Sequence, residues 1–209
     1  MRLKKVRNAD IIIDESKYII KNPKSFKGKI KDVFGNSNPI HIEVGMGKGD
    51  FIIGMAMQYP NINFIGIEKF DSVMVRAVEK LELLEIPNLR LVKIDALELD
   101  EVFDKEVETI YLNFSDPWPK NRHVNRRLTS KVFLDVFSEL FDGENHIVQK
   151  TDNRKLFEYS IMSFNENGYR IEDISLDLYS DDYKDNVATE YEKKFISKGN
   201  LIYRIEVRR

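Results

Sequence analysis

The chain has no cysteine among its 209 residues, which excludes disulfides, thiolate zinc sites and a cysteine nucleophile. Long apolar runs are missing as well. Ile11-Ile12-Ile13 is typical of the longest, against the roughly 20 residues a membrane span needs. No basic-then-apolar segment opens the sequence, so a cytoplasmic protein without a membrane partner is expected. Neither sign of charge dominates, with 33 Lys and Arg against 35 Asp and Glu. Histidine is scarce at three and tryptophan occurs once, and no metal site is expected. What is present suffices for a core: 42% of residues are apolar and 11% aromatic, at a length that suits one domain.

The balanced total hides an uneven distribution. Residues 1–39 carry ten Lys and Arg against four acids, residues 40–119 seven against fifteen, and residues 120–155 eight against five. Two basic segments therefore flank an acidic block. Local basic patches can bind a polyanion even in a net acidic chain.

From residue 40 onward, short β-rich runs alternate with helical spacing. Strands are expected at 40–44, 63–67, 89–94, 109–112 and 146–148, with two later ones near 171–176 and 201–207. Apolar residues recur at helical spacing through Phe51–Tyr59, Val73–Leu84, Val132–Leu140 and Lys155–Asn167, and again near Tyr191–Ile196. The pattern predicts an α/β fold, Rossmann-like and doubly wound. Its sheet has seven strands, mainly parallel, with helices on both faces and an antiparallel late strand. Residues 1–39 read as a basic N-terminal extension and 40–209 as the main domain.

Ligands of doubly wound sheets bind beyond the carboxyl ends of the strands. Three features fall there. The run Glu43-Val44-Gly45-Met46-Gly47-Lys48-Gly49 follows the first strand and opens a helix; its glycines permit a tight turn and close approach of a ligand. Glu68 ends the second strand, 19 positions after Gly49, where a carboxylate can accept from ribose hydroxyls. Asp95 ends the third, in position for the amino group of an adenine. Acids this numerous would repel a dinucleotide pyrophosphate. S-adenosylmethionine carries an ammonium, a sulfonium and a ribose, and is the expected cofactor.

After the fourth strand comes Asn113-Phe114-Ser115-Asp116-Pro117-Trp118-Pro119-Lys120, where two prolines stiffen a loop that projects a carboxylate and the one indole. Arg122, His123, Arg126 and Arg127 follow at once, a basic stretch suited to phosphates. These residues resemble the bacterial tRNA (guanine-N7-)-methyltransferases. The resemblance rests on Ile42–Gly45 with its glycine turn, on Asn113–Lys120, on Lys150-Thr151-Asp152-Asn153 and on Thr189-Glu190-Tyr191-Glu192, and it extends across nearly the whole chain.

The resemblance implies that Glu43, Gly45, Gly47, Glu68, Asp95 and Asp116 hold the cofactor, with Asp116 also catalytic. Lys120, Asp152, Thr189, Glu190, Tyr191 and Glu192 would bind substrate, and Arg122, His123, Arg126 and Arg127 would contact the RNA. The partner implied is tRNA, not DNA, with a variable-loop guanine as target. Whether Asp116 faces the base or the cofactor is open at this stage, as is the choice between monomer and homodimer. Three rival readings are an adenine-amino methyltransferase, an NAD-dependent oxidoreductase and a non-catalytic RNA-binding module. The second would need a hydride-handling His or a Tyr-Lys pair; His41 and His146 fall inside strand patterns as core residues.

Overall fold

Runs rich in Ile, Val and Leu form the sheet, because branched side chains pack well on a pleat covered on both faces. In the computed structural model, which describes residues 7–181, 183–184 and 186–209, β1 (Ile40–Val44), β2 (Asn63–Glu68), β3 (Leu89–Lys93), β4 (Thr109–Asn113) and β5 (His146–Thr151) pair in parallel. β6 (Arg170–Ser175) and β7 (Tyr203–Arg208) complete a seven-stranded sheet of order β3-β2-β1-β4-β5-β7-β6. β7 inserts between β5 and β6 and runs antiparallel to both. The strand order reverses between β1 and β4, and that switch point is where such folds open a crevice.

Helices α1 (Ala9–Glu15), α2 (Asp50–Gln58), α3 (Asp71–Leu81), α4 (Lys131–Ser138), α5 (Arg154–Glu166) and α6 (Glu190–Ile196) surround the sheet. Alternation along β1 sends Ile40, Ile42 and Val44 to one face, where they join Phe133, Phe137 and Phe157 of α4 and α5. Phe64, Leu89 and Leu91 serve the other face with Phe51 and Ile52 of α2 and Met74 and Val78 of α3. The expected strands and main helices are all present. Among the described residues no helix is long and apolar enough to cross a membrane.

The amino-terminal segment is less visible in the sequence. It lies along the β3 edge, where Ile20 N donates to Leu91 O at 2.9 Å and Leu91 N to Tyr18 O at 2.7 Å. Further on, the Glu106 carboxylate accepts from Gly28 N at 2.9 Å and Ile30 N at 2.7 Å. Ile20 and Ile30 are buried in the core, so the segment covers an edge that would otherwise offer unpaired backbone groups.

Candidate active site

The turn after β1 holds Gly45, Gly47 and Gly49 at φ of +78°, +59° and +77°, the left-handed region that side chains resist. Gly45 N and Met46 N donate to Ile67 O at 2.9 and 3.0 Å, which ties the turn to the end of β2. Gly47 N donates to Glu68 Oε2 at 3.2 Å, while Glu68 Oε1 accepts from Lys69 N at 2.8 Å and Phe70 N at 3.0 Å. A carboxylate has about four lone-pair positions, so three are used by backbone and one remains for a hydroxyl. Burial raises the Glu68 pKa against those three hydrogen bonds.

Beside this turn opens a cavity of about 590 Å³, within the ordinary range for small-molecule sites. Glu68, Asp95 and Asp116 line it, with Phe70, Leu97 and Trp118 among its apolar walls. Asp95 caps the 3-10 helix Ala96–Glu101 by accepting from Leu97 N at 3.1 Å, and its other oxygen lies 3.3 Å from Lys69 Nζ. Three expected acids thus meet around one crevice. Phe70 and Leu97 were missed in the sequence; the signal that could have found them is a large apolar residue two positions past a strand-end acid, and both are exposed in the structure.

Glu43 stands apart from the cavity lining. Strand alternation turns it to the α2 face, opposite Val44, where it is 2% exposed. Its Oε1 accepts from Asn113 Nδ2 at 2.9 Å, whereas Glu43 Oε2 and Asn113 Oδ1 are buried without a hydrogen-bond partner among the described residues. Burial pushes its carboxyl up to about 8, although Asn113 and the charge on Lys150 oppose the shift. Two orphaned acceptors next to the glycine turn are an unusual pair, since buried polar groups almost always find a donor. Gly47 is likewise outside the lining and acts through Glu68.

The loop after β4 is strained at two places. Phe114 and Trp118 take φ of +50° and +41°, each at a cost of about 1–2 kcal/mol for a residue with a side chain. The strain leaves Asp116 exposed at the cavity rim and Trp118 in its wall. The Arg126 guanidinium lies 4.9 Å from the indole centroid, and His123 meets the ring edge-on at 5.6 Å. His123, half-buried, therefore packs against the loop through the Trp118 ring. Arg127 departs further from expectation. Its Nε donates to Pro117 O and its Nη2 to Trp118 O, both at 3.1 Å, and the guanidinium lies 4.3 Å from the Tyr159 ring centroid. Lys120 and Arg122 are exposed outside the cavity lining.

The remaining motifs divide between scaffold and site. In Lys150–Asn153, Lys150 is buried, Thr151 Oγ1 accepts from Asn153 N, and Asn153 caps α5; Asp152 is half-buried, which raises its pKa. Tyr191 packs 5.2 Å from Phe114 and 4.2 Å from Phe195, centroid to centroid. Burial raises its phenol pKa first, and the charges of Asp152 and Asp116 add to the effect, so these three groups share one neighbourhood.

Thr189 and Glu192, expected to contact substrate, instead form the capping box of α6. Glu192 is fully buried and accepts from Lys150 Nζ at 2.8 Å, Tyr179 OH at 2.9 Å and Asn186 Nδ2 at 2.8 Å. The side chain of Glu190 lies outside the described residues. His41 is buried and bound to Tyr111 OH at 3.1 Å, whereas His146 is half-buried and bound to Glu206 at 2.8 Å. Neither lines the acid-lined cavity beside the glycine turn.

Fold and site together define a methyltransferase of the doubly wound α/β class. A family described as "Putative methyltransferase" matches residues 37–205. The structure titled "an antibiotic related Methyltransferase" superposes with a TM-score of 0.70 at 18% identity, covering 91% of this chain and 96% of that one. A "SAM dependent methyltransferase" from Aquifex aeolicus gives 0.57 at 13% identity and covers 96% of each chain. At such identities the likeness is one of fold. The tRNA (guanine-N(7)-)-methyltransferase of Bacillus licheniformis is 54% identical over 94% of this chain and 93% of its own length. The chain belongs to the tRNA (guanine-N(7)-)-methyltransferase family.

Proposed function

We propose that this enzyme transfers a methyl group from S-adenosylmethionine to N7 of a guanine in the variable loop of tRNA. The observation that carries the reading is the strained loop that sets Asp116 and Trp118 at the rim of an acid-lined cavity. The residues present fit the cofactor. Glu68 keeps one acceptor position for a ribose hydroxyl, and Asp95 with Phe70 and Leu97 forms a slot for an adenine. Glu43 and Asn113 lie outside this lining, buried on the α2 side of the sheet and bound to each other at 2.9 Å. When bound, S-adenosylmethionine supplies an electrophilic sulfonium methyl.

Guanine N7 has an in-plane lone pair and no proton, so no general base is needed. The protein's work is alignment and exclusion of water. N7 becomes cationic on methylation, and Asp116 at the rim stabilises that charge or accepts from the N1–H and amino edge that orients the base. Trp118 offers a stacking surface for a base turned out of its loop. Tyr191 and Phe114 wall the same region, with Asp152 nearby. The exposed cations Lys120 and Arg122 outside the lining, and Arg126 at the cavity beside the indole, suit phosphates.

The test is Asp116→Ala assayed for transfer of labelled methyl to unmodified tRNA. Because Asp116 is exposed, the fold should survive while turnover falls by at least about 100-fold, the scale of losing one preorganised electrostatic contact. Turnover within a few-fold of the parent would overturn the role.

A further inference from the structure

We infer that Arg127 is a positioning residue that holds the reaction loop in its strained shape, and not a phosphate contact. The inference rests on the proposed methyl transfer only for its kinetic readout. Its physical basis is local. Pro117 and Pro119 bracket Trp118 and have no N–H, so the loop is short of donors where it turns. Trp118 sits at a φ of +41° and precedes a proline, two conditions that push a residue toward extended backbone. Left alone, the segment would relax. The carbonyls on both sides of the strained residue's α-carbon, Pro117 O and Trp118 O, are taken by one guanidinium at 3.1 Å each. A planar fork matches two successive carbonyls in a way that a single ammonium cannot.

The other side of the guanidinium is equally fixed. It lies 4.3 Å from the ring centroid of Tyr159 on α5, which is anchored in the core through Leu156, Phe157 and Ser160. Arg127 thereby ties the loop to a helix that does not depend on the cavity for its place. Arg126, one position earlier, is exposed, lines the cavity and covers the indole at 4.9 Å. Adjacent arginines are thus split, one facing the site and one turned to the loop's backbone. In the sequence the two are indistinguishable.

The experiment compares Arg127→Lys, Arg127→Ala and Tyr159→Leu with the parent, using the whole chain. Trp118 is the only tryptophan, so its fluorescence maximum and near-ultraviolet dichroism report loop geometry in protein free of RNA. Positioning predicts that all three variants shift the Trp118 signal, with Arg127→Lys close to Arg127→Ala. In turnover, kcat should fall on the order of 100-fold for both Arg127 variants, as expected for a reacting group displaced by about 1 Å. KM for tRNA and the slope of log affinity against log salt should stay near parental values.

A phosphate contact predicts the reverse. Lysine would preserve affinity, alanine would lower the salt slope by about one, and the Trp118 signal would not move. That pattern would overturn the inference. Should a variant lose its far-ultraviolet dichroism, Tyr159→Leu supplies the milder perturbation: an unshifted Trp118 signal in that variant also counts against the inference. If the parent protein itself failed to methylate tRNA, the Trp118 readout would still decide the question.

Discussion

Replacing Glu192 with alanine separates a structural from a substrate-binding role for the Thr189–Glu192 motif. Lys150 and Glu192 form an ion pair at 2.8 Å with side chains only 4% and 0% exposed. Removing one partner of such a pair strands the other charge in a medium that cannot solvate it, at a cost of about 3–5 kcal/mol. Lys150 Nζ would keep Asn186 Oδ1 at 2.9 Å and Val187 O at 3.0 Å, two dipoles that replace a charge only in part. For a chain of this size each kcal/mol moves the melting temperature by about 2–4 °C, so a fall of roughly 6–20 °C is expected.

The loss should be partly undone by the double variant Lys150→Met, Glu192→Leu, which removes both charges together. Activity would fall as well, because Phe114 N donates to Lys150 O at 2.9 Å and the pair supports both the reaction loop and α6. Thermal melts followed by dichroism provide the assay. A Glu192→Ala protein that melts within 1 °C or so of the parent, with its defect confined to KM for tRNA, would refute the reasoning. In that case Glu192 would be a substrate contact after all.

Two further outcomes follow from the geometry. Glu43 has a folded-state pKa of about 8 against an ordinary 4.5, so the folded chain holds a proton that the unfolded chain has released across that window. The contribution of Glu43 to the stability of the ligand-free protein is therefore fully present below about pH 4.5 and declines as pH rises toward 8, by up to about 1.4 kcal/mol per unit. Glu43→Gln removes that slope, and denaturant titrations at pH 5.5 and 8.5 should show the variant gaining on the parent at the higher value; parallel curves would count against it. Gly49→Ala forces a side chain into a φ of +77° with its Cβ 2.9 Å from Ala77 Cβ, and should cost about 1–3 kcal/mol in the same measurement.

The architecture was legible because periodicity is a long-range signal. Five parallel strands, the glycine turn and the acids at the strand ends all follow from spacing and type. The insertion of β7 between β5 and β6 was not, since nothing in Tyr203–Arg208 marks its neighbours. α1 was missed for a different reason: at seven residues it shows too little apolar period, and it is held by packing against α3.

At the site, the meeting of Glu68, Asp95 and Asp116 around one cavity was readable because the carboxyl ends of neighbouring parallel strands, and the loops that leave them, open on the same side of the sheet. Arg127, Thr189 and Glu192 were not. A charged residue in a motif reads the same whether it meets a ligand, a backbone carbonyl or a buried partner. Glu43 shows how fine the margin is, for a one-residue step along β1 places Val44 in the cavity wall and Glu43 behind the sheet.

The central claim concerns one atom of one base. Unmodified tRNA incubated with labelled S-adenosylmethionine and the enzyme, then reduced and treated with aniline, maps N7-methylguanine by strand cleavage. Cleavage is expected at a variable-loop guanine with the parent protein and none with Asp116→Ala. Methyl incorporation without cleavage, or no incorporation by protein that still binds S-adenosylhomocysteine, would contradict it.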